Sequence, residues 1–364
     1  MNRKYKIIDI FCGAGGLSYG FYKNNNFEIV CATDIGKDMC ETYKANHENV
    51  NVFNLDIKDL STEFLEKELS LSKNEIDIII GGPPCQAYST VGKRLLDDPR
   101  GKLFQEFYRL VKEVKPKIFI FENVKGLLSM NGGELFKTII NLFKEINYTV
   151  DYKVLNSANY GVPQIRERVF IVGTLSNKKF QFPEETHSFK GCSKTKKFIT
   201  LEDAISDLPV LSSGGCAITF NEPPKTEYQR FIRDTEEISY HIAPKNNEKM
   251  IQLMEALPDG GSPLDIDLSL RPKSGFGNTY CRLWWKKPST TITRNFSTPS
   301  SSRCVHPNQA RPLTPREALR IQSFPDSFIV KGSNSSQKIQ IGNAVPPLLS
   351  QHIAEAVSNY LLES

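Results

Sequence analysis

The chain predicts an α/β fold: a doubly wound, mostly parallel sheet with a smaller, loop-rich domain inserted into it. Three observations carry this. Seven apolar runs of strand length recur through the first half, at Ile7–Phe11, Ile29–Ala32, Val50–Asp56, Ile76–Ile80, Ile118–Phe121, Val150–Leu155 and Val169–Val172. They are continuous more often than alternating, as in strands covered on both faces. Helical periodicity separates them, most clearly Leu103, Phe107, Leu110, Val111 and Val114 on one face, and such alternation builds parallel sheets. After about residue 175 the periodicity fades into stretches rich in lysine, serine, proline and glycine. Order returns at Thr314-Pro315-Arg316-Glu317, a helix start with proline at the first helical position and an acid in the first turn.

This reading divides the chain into 1–175, the first part of the main domain; 176–310, the inserted domain; and 311–364, a return segment that completes the main domain. The last helix starts near Pro347, with Leu349, Ile353, Val357 and Leu361 at i+4 spacing, and packs back on the first part.

Composition narrows the class. At 364 residues with a net charge of +5, the chain has room for a large core and tolerates a polyanionic partner without demanding one. No apolar run has the length of a membrane span, and the basic start lacks the long apolar stretch of a secretion signal. The eight cysteines form no C-x-x-C pair and do not cluster with the five histidines. Reduced thiols, a cytoplasmic location and no metal are expected.

Chemistry-bearing residues stand at strand ends. The first strand runs into Asp9-Ile10-Phe11-Cys12-Gly13-Ala14-Gly15-Gly16-Leu17, a turn whose glycines let backbone amides approach a ligand. The third glycine of a dinucleotide fingerprint would fall at Ser18; here it is displaced to Gly16, which suits a ligand without a pyrophosphate. Asp34 closes the second strand, where a carboxylate takes ribose hydroxyls, and Asp56 closes the third, within reach of an adenine amino group. The fourth strand delivers Gly81-Gly82-Pro83-Pro84-Cys85-Gln86, a thiol at a stiffened tip followed by the polar, basic Tyr88–Arg94. The fifth ends in Glu122-Asn123. Gln164-Ile165-Arg166-Glu167-Arg168 leads into the last. A carboxyl directly after four apolar strand residues enters a site more readily than it caps a helix.

These motifs, in this order, resemble the cytosine-5 DNA methyltransferase family of bacterial restriction-modification type. Asp9–Gly16 is similar to its cofactor loop, Gly81–Gln86 to its nucleophile motif, Glu122-Asn123-Val124 to its acidic motif and Gln164–Arg168 to its arginine motif. Arg311–Glu317, continued through Arg320-Ile321-Gln322-Ser323-Phe324-Pro325-Asp326, resembles the helix that supports the recognition domain, and Gly342-Asn343-Ala344-Val345-Pro346-Pro347 the closing motif. Asp34 stands where glutamate is more usual, and Tyr88 where phenylalanine is common.

The resemblance implies a Rossmann-like methyltransferase fold, S-adenosyl-L-methionine as methyl donor and double-stranded DNA as substrate. It implies Cys85 as the nucleophile on carbon 6 of a flipped-out cytosine, Glu122 at ring N3, Arg166 at the base carbonyl and Arg168 in a supporting or backbone-contacting place. The cofactor would be held by Asp9, Phe11, Gly13, Gly15, Gly16, Leu17, Asp34, Ile35, Asp56, Ile57 and Pro83, with Asn343, Ala344 and Val345 completing the wall. DNA contacts are expected from Gln86, Ser89, Lys93, Arg94 and Arg100, and from Arg282, Arg294 and Arg303 in the inserted domain. A monomer is implied, with a cognate restriction endonuclease acting separately. Three readings compete. An RNA methyltransferase of the same fold would carry a Cys-Phe-Thr signature, absent here. A non-catalytic DNA- or cofactor-binding module would lose the cysteine or the glutamate. A nicotinamide oxidoreductase explains the glycine loop alone.

Overall fold

The computed structural model describes residues 3–84, 102–273, 275 and 277–363. Two compact units emerge. The first comprises Met1–Asn156, Glu167–Glu184 and Ser350–Ser364; the second comprises Ser157–Arg166 and Glu185–Leu349. The chain thus passes between units after Asn156, Arg166, Glu184 and Leu349, whereas the sequence reading placed its divisions at 175 and 310. The 311–349 stretch lies with the second unit.

The first unit is built on seven strands: β1 (Tyr5–Ile10), β2 (Phe27–Asp34), β3 (Asn51–Asn54), β4 (Ile78–Gly81), β5 (Ile118–Val124), β6 (Thr149–Asn156) and β7 (Glu167–Thr174). Their order is β3-β2-β1-β4-β5-β7-β6. The first five are parallel, and β7 runs antiparallel to both β5 and β6. This is the mostly parallel, doubly wound sheet expected from the apolar runs. In the central strands Ile78, Ile79, Ile80, Ile118, Phe119 and Ile120 are all at 0 % exposure, so both sheet faces must be covered.

Among the described residues, the helices α1 (Gly16–Tyr22), α2 (Lys37–Asn46), α3 (Thr62–Leu69), α4 (Lys102–Val114) and α5 (Glu134–Glu145) of this unit precede β6. α4 turns Phe104, Phe107, Leu110, Val111 and Val114 to the core, where Phe107 meets Phe119 and Phe121 edge-on. Aromatic pairs of this geometry add to the stabilisation from burial alone. Two strands differ from their expected bounds. β3 stops at Asn54, and Asp56 instead caps a short 3-10 turn by accepting the Lys58 amide at 3.1 Å. β5 continues to Val124, so Glu122 lies within it.

The second unit has little regular structure. It holds a two-residue ladder of β8 (His187–Ser188) and β9 (Lys196–Lys197), and the helices α6 (Leu201–Ile205), α7 (Glu227–Ile232), α8 (Glu248–Ala256), α9 (Pro315–Ile321) and α10 (Asn334–Asn343). The final helix, α11 (Pro347–Leu362), has its residues from Ser350 on in the first unit. There its backbone lies against Gly20, where an added Cβ would meet the Ser350 carbonyl carbon at 2.3 Å.

Buried ion pairs organise the second unit. Arg311 holds Glu317 through two bonds of 2.9 and 2.6 Å, and Arg320 holds Asp326 through bonds of 2.9 and 2.6 Å. All four side chains are buried. Among the described residues no helix is long and apolar enough to cross a membrane, and no cluster of three or more His, Cys, Asp or Glu is placed to hold a metal.

Candidate active site

Parallel pairing brings the carboxyl ends of β1 to β5 to one sheet edge, since Ile10 pairs with Thr33 and Gly81, Asp34 with Asn54, and Gly81 with Phe121. β1 lies between β2 and β4, so strand order reverses there. Ligands of open α/β sheets bind at such a point. The antiparallel β7 contributes its first residues to the same edge, with Arg168 opposite Val124.

The glycine loop leaves β1 through three left-handed residues, Phe11 (φ 57°), Gly13 (φ 52°) and Gly15 (φ 85°). Glycine adopts this conformation without strain; phenylalanine does not. Asp34 fixes the loop, accepting the Gly13 amide at 3.0 Å and the Gly36 amide at 2.8 Å. Burial raises the Asp34 carboxyl, and these amides oppose the rise. A side chain at Gly13 would meet nothing within 4 Å, so the loop is open there. At Gly15 it would strike His47 at 2.4 Å and Tyr43 at 3.0 Å, so the loop is closely backed by α2 and its C-terminal residue. Ile35, next to Asp34, is 76 % exposed. Gly16 and Leu17 open α1 and are buried, as is Ile57, while Phe11 is half-buried against the core.

The strand ends of β4 and β5 interlock. At Gly82 a Cβ would stand 2.9 Å from Glu122 Oε2, so the missing side chain is the space the carboxyl occupies. Asn123 donates from Nδ2 to the Pro83 carbonyl at 3.0 Å, anchoring the segment that leads to Cys85. Glu122 Oε1 lies 3.1 Å from Arg168 Nε, both side chains largely buried. Register explains this pair. Glu122 stands opposite Phe170, and Arg168 two residues away on the same face of β7. Diagonal neighbours of this kind are within reach of long side chains.

This reverses the expected order of the two arginines. Arg166, assigned from sequence to the base carbonyl, is wholly buried and donates to Ile292 O, Gly342 O and Asn343 O at 3.0, 3.1 and 3.1 Å. Arg168, assigned to a supporting or backbone-contacting place, is the one on the acidic residue. Arg282 is corrected likewise. It is 5 % exposed and donates to the carbonyls of Leu257, Met254, His306, Pro307 and Gln309. Irregular loops must satisfy buried carbonyls, and one guanidinium carries five donors. Arg303 donates to Gly260 O at 2.8 Å and stacks 4.3 Å from the centre of the Trp284 ring, so it too holds loops together. Arg294 is exposed. Asn343 closes α10, and Ala344 and Val345 follow it, all in the second unit. Cys85, Gln86, Ser89, Lys93, Arg94 and Arg100 lie outside the described residues.

The sequence reading assigned no part to Asn123, nor to Tyr43 and His47 beneath the glycine loop. His47 stacks on Tyr43 at 4.0 Å, and burial lowers its pKa to about 3, leaving it neutral. The i, i+4 spacing of these two rings was the available signal.

Comparison with known proteins identifies the family. Residues 5–359 match the family described as C-5 cytosine-specific DNA methylase. The Type II methyltransferase M1.HphI of Haemophilus parahaemolyticus is 37 % identical over 353 residues, 96 % of this chain and 86 % of the relative. The Type II methyltransferase M.AgeI of Thalassovita gelatinovora is 33 % identical over 426 residues, 97 % of this chain and 99 % of the relative. Among solved structures, a candidate DNA modification methyltransferase encoded within an E. coli prophage superposes with a TM-score of 0.78 at 26 % identity, covering 99 % of this chain and 100 % of that one. The chain therefore belongs to the C-5 cytosine-specific DNA methylase family and is a DNA cytosine-5 methyltransferase.

Proposed function

We propose that this enzyme methylates carbon 5 of a cytosine within a defined sequence of duplex DNA, using S-adenosylmethionine, and serves as the modification enzyme of a restriction-modification system. The observation that carries the reading is the Glu122–Arg168 pair, seated over Gly82 at the strand end that leads into Cys85.

The residues around the glycine loop fit the cofactor. Each Asp34 oxygen accepts one amide and retains capacity for a ribose hydroxyl. The loop is open at Gly13, and the exposed Ile35 offers an apolar surface to a purine. Asp56 follows the neighbouring strand β3 as the cap of the turn after it. When bound, S-adenosylmethionine supplies an electrophilic methyl group on a sulfonium.

The protein's own part is to make carbon 5 nucleophilic. The Cys85 thiolate adds to carbon 6, and the ring electrons move toward N3 and the carbonyl oxygen. Glu122 gives a proton to N3 as that charge develops. Arg168 orients the Glu122 carboxyl and takes the base carbonyl. Once carbon 5 carries the methyl group, its proton passes to a base, Cys85 leaves as the thiolate, and Glu122 takes back the N3 proton, which restores the ring. The target atom is shielded within the duplex stack, so the cytosine is flipped out first. Lys93, Arg94 and Arg100 take phosphates, and Arg294, the exposed one of the three candidate arginines of the inserted domain, reaches DNA. A DNA substrate is consistent with a cytoplasmic enzyme, which acts as a monomer with a cognate endonuclease working separately.

Transfer of tritiated methyl groups tests this. The wild-type protein is expected to label duplex DNA and not tRNA, and Cys85→Ala and Cys85→Ser to label neither above background. Label in tRNA, or variants as active as wild type, would reject the reading.

A further inference from the structure

The last carbonyls of a helix have no partner inside it. At the end of α10 every one of them is taken. Gln340 O accepts the Ala344 amide at 3.2 Å. Ile341 O accepts Gln322 Nε2 at 2.6 Å, and Gly342 O and Asn343 O accept the two Arg166 Nη atoms at 3.1 Å each. The capping side chains are themselves tied. Gln164 Nε2 donates to Gln322 Oε1 at 2.8 Å, and Gln164 Oε1 accepts the Ile292 amide at 2.7 Å. Arg166 also donates to Ile292 O at 3.0 Å. Gln164, Arg166 and Gln322 are all 0 % exposed.

The same helix end meets the loop after Ile292 without room to spare. A Cβ at Gly342 would lie 2.2 Å from Arg294 N and 2.4 Å from the Thr293 carbonyl carbon. One sealed network in the second unit therefore joins Gln164–Arg166, Ile292–Arg294 and the end of α10. A cation suits a helix C-terminus, and a planar fork reaches three separated carbonyls in a fixed geometry that a compact ammonium does not match.

We propose that Gln164 and Arg166 are positioning residues. They form a buried helix cap that holds the Ile292–Arg294 loop and the Asn343–Val345 turn as one piece, so that cofactor contact and DNA contact are set together. This rests on the proposed assignment of Arg294 to DNA and on the expected place of Asn343–Val345 in the cofactor wall. It takes Arg166 out of the chemistry and leaves Arg168 in it.

The test uses the full chain with Arg166→Lys, which keeps the charge and loses the fork. Amide exchange is followed in peptides spanning 289–296 and 334–349. Calorimetry gives the affinity for S-adenosylhomocysteine, and methyl transfer to unmodified genomic DNA gives kcat and KM. Exchange is expected to quicken in both peptides together, with cofactor affinity and DNA KM each worse by about tenfold and kcat within about threefold. Arg168→Ala is expected to lower kcat and leave both peptides unchanged. A fall in kcat for Arg166→Lys with affinities and exchange intact would overturn the proposal, as would faster exchange in one peptide alone. If Arg166→Lys does not fold, Gln322→Glu keeps the oxygen that accepts Gln164, removes the donor to Ile341 O, and is read in the same way. Exchange does not depend on turnover, so a wild-type protein inactive on DNA would reject the proposed function without deciding this one.

Discussion

Asp9 shows what a single residue at the sheet edge costs and contributes. It sits in β1 between Ala32 and Ile80, is 1 % exposed, and its Oδ2 has no hydrogen-bond partner among the described residues. Desolvation raises its pKa to about 7; Ser18 from α1 and Tyr43 from α2 oppose that rise, and Asp34 from β2 adds to it. Burial also pushes up the thiols of Cys12 and Cys31, and the Asp9 charge adds to both. Between pH ~4 and pH ~7 the folded protein keeps a proton that the unfolded chain has lost, so stability falls by up to ~1.4 kcal/mol per pH unit as pH rises. Asp9→Asn is expected to flatten that slope, bringing the urea midpoints at pH 5 and pH 8 closer together than in wild type. Parallel slopes in the two proteins would show that Asp9 does not titrate in this window. At this scale the sequence is informative about residue type and silent about partners. Arg166 and Arg168 share one motif and one charge. Their parts are decided by the carbonyls of Ile292, Gly342 and Asn343 for one and by Glu122 for the other, groups far off in the chain.

Among the elements, α9 carries the largest buried charge. Thr314 caps it and accepts the Glu317 amide, while Glu317 accepts the Thr314 amide in return, a capping box readable in Thr314-Pro315-Arg316-Glu317. Burial works to raise the Glu317 carboxyl, but Arg311 and His306 overcome it and hold it well below the usual range. Its contribution is therefore present above the unfolded-state pKa and is lost as pH falls toward the folded one. Glu317→Gln strands the Arg311 guanidinium, 0 % exposed, without its carboxylate. Breaking a buried pair in this way costs roughly 3–5 kcal/mol. Equilibrium denaturation should report that loss at pH 7, and a change below ~1 kcal/mol would mean that Arg311 finds other partners. The strands were legible because apolar runs buried on both faces leave a local signature. The second unit was not, because loops held by Arg282, Arg311 and Arg320 have no period to read.

The whole molecule is governed by chain path. Four crossings between units mean that neither unit is one continuous stretch, and the final residues return to complete the first. From Ser350 onward α11 presents Ile353, Ala354, Val357, Tyr360 and Leu361, all buried. The Ser350 hydroxyl accepts the Gly20 amide at 3.0 Å, the Ser358 hydroxyl accepts from Asn26 at 2.7 Å, and the Leu361 carbonyl accepts from Tyr5 at 3.2 Å. Burying one large apolar side chain contributes about 1.5–3 kcal/mol. Several of them together rival the whole stability of an ordinary domain, about 5–15 kcal/mol. A chain ending at Leu349 therefore loses the fold of its first unit, although the glycine loop, Glu122 and Arg168 all remain in it. It should show a broad, shallow thermal transition by circular dichroism and no affinity for S-adenosylhomocysteine. A sharp transition within a few degrees of the full chain would mean that β1 and α1 hold without the returning helix. The cofactor loop would then owe nothing to the chain's last turns.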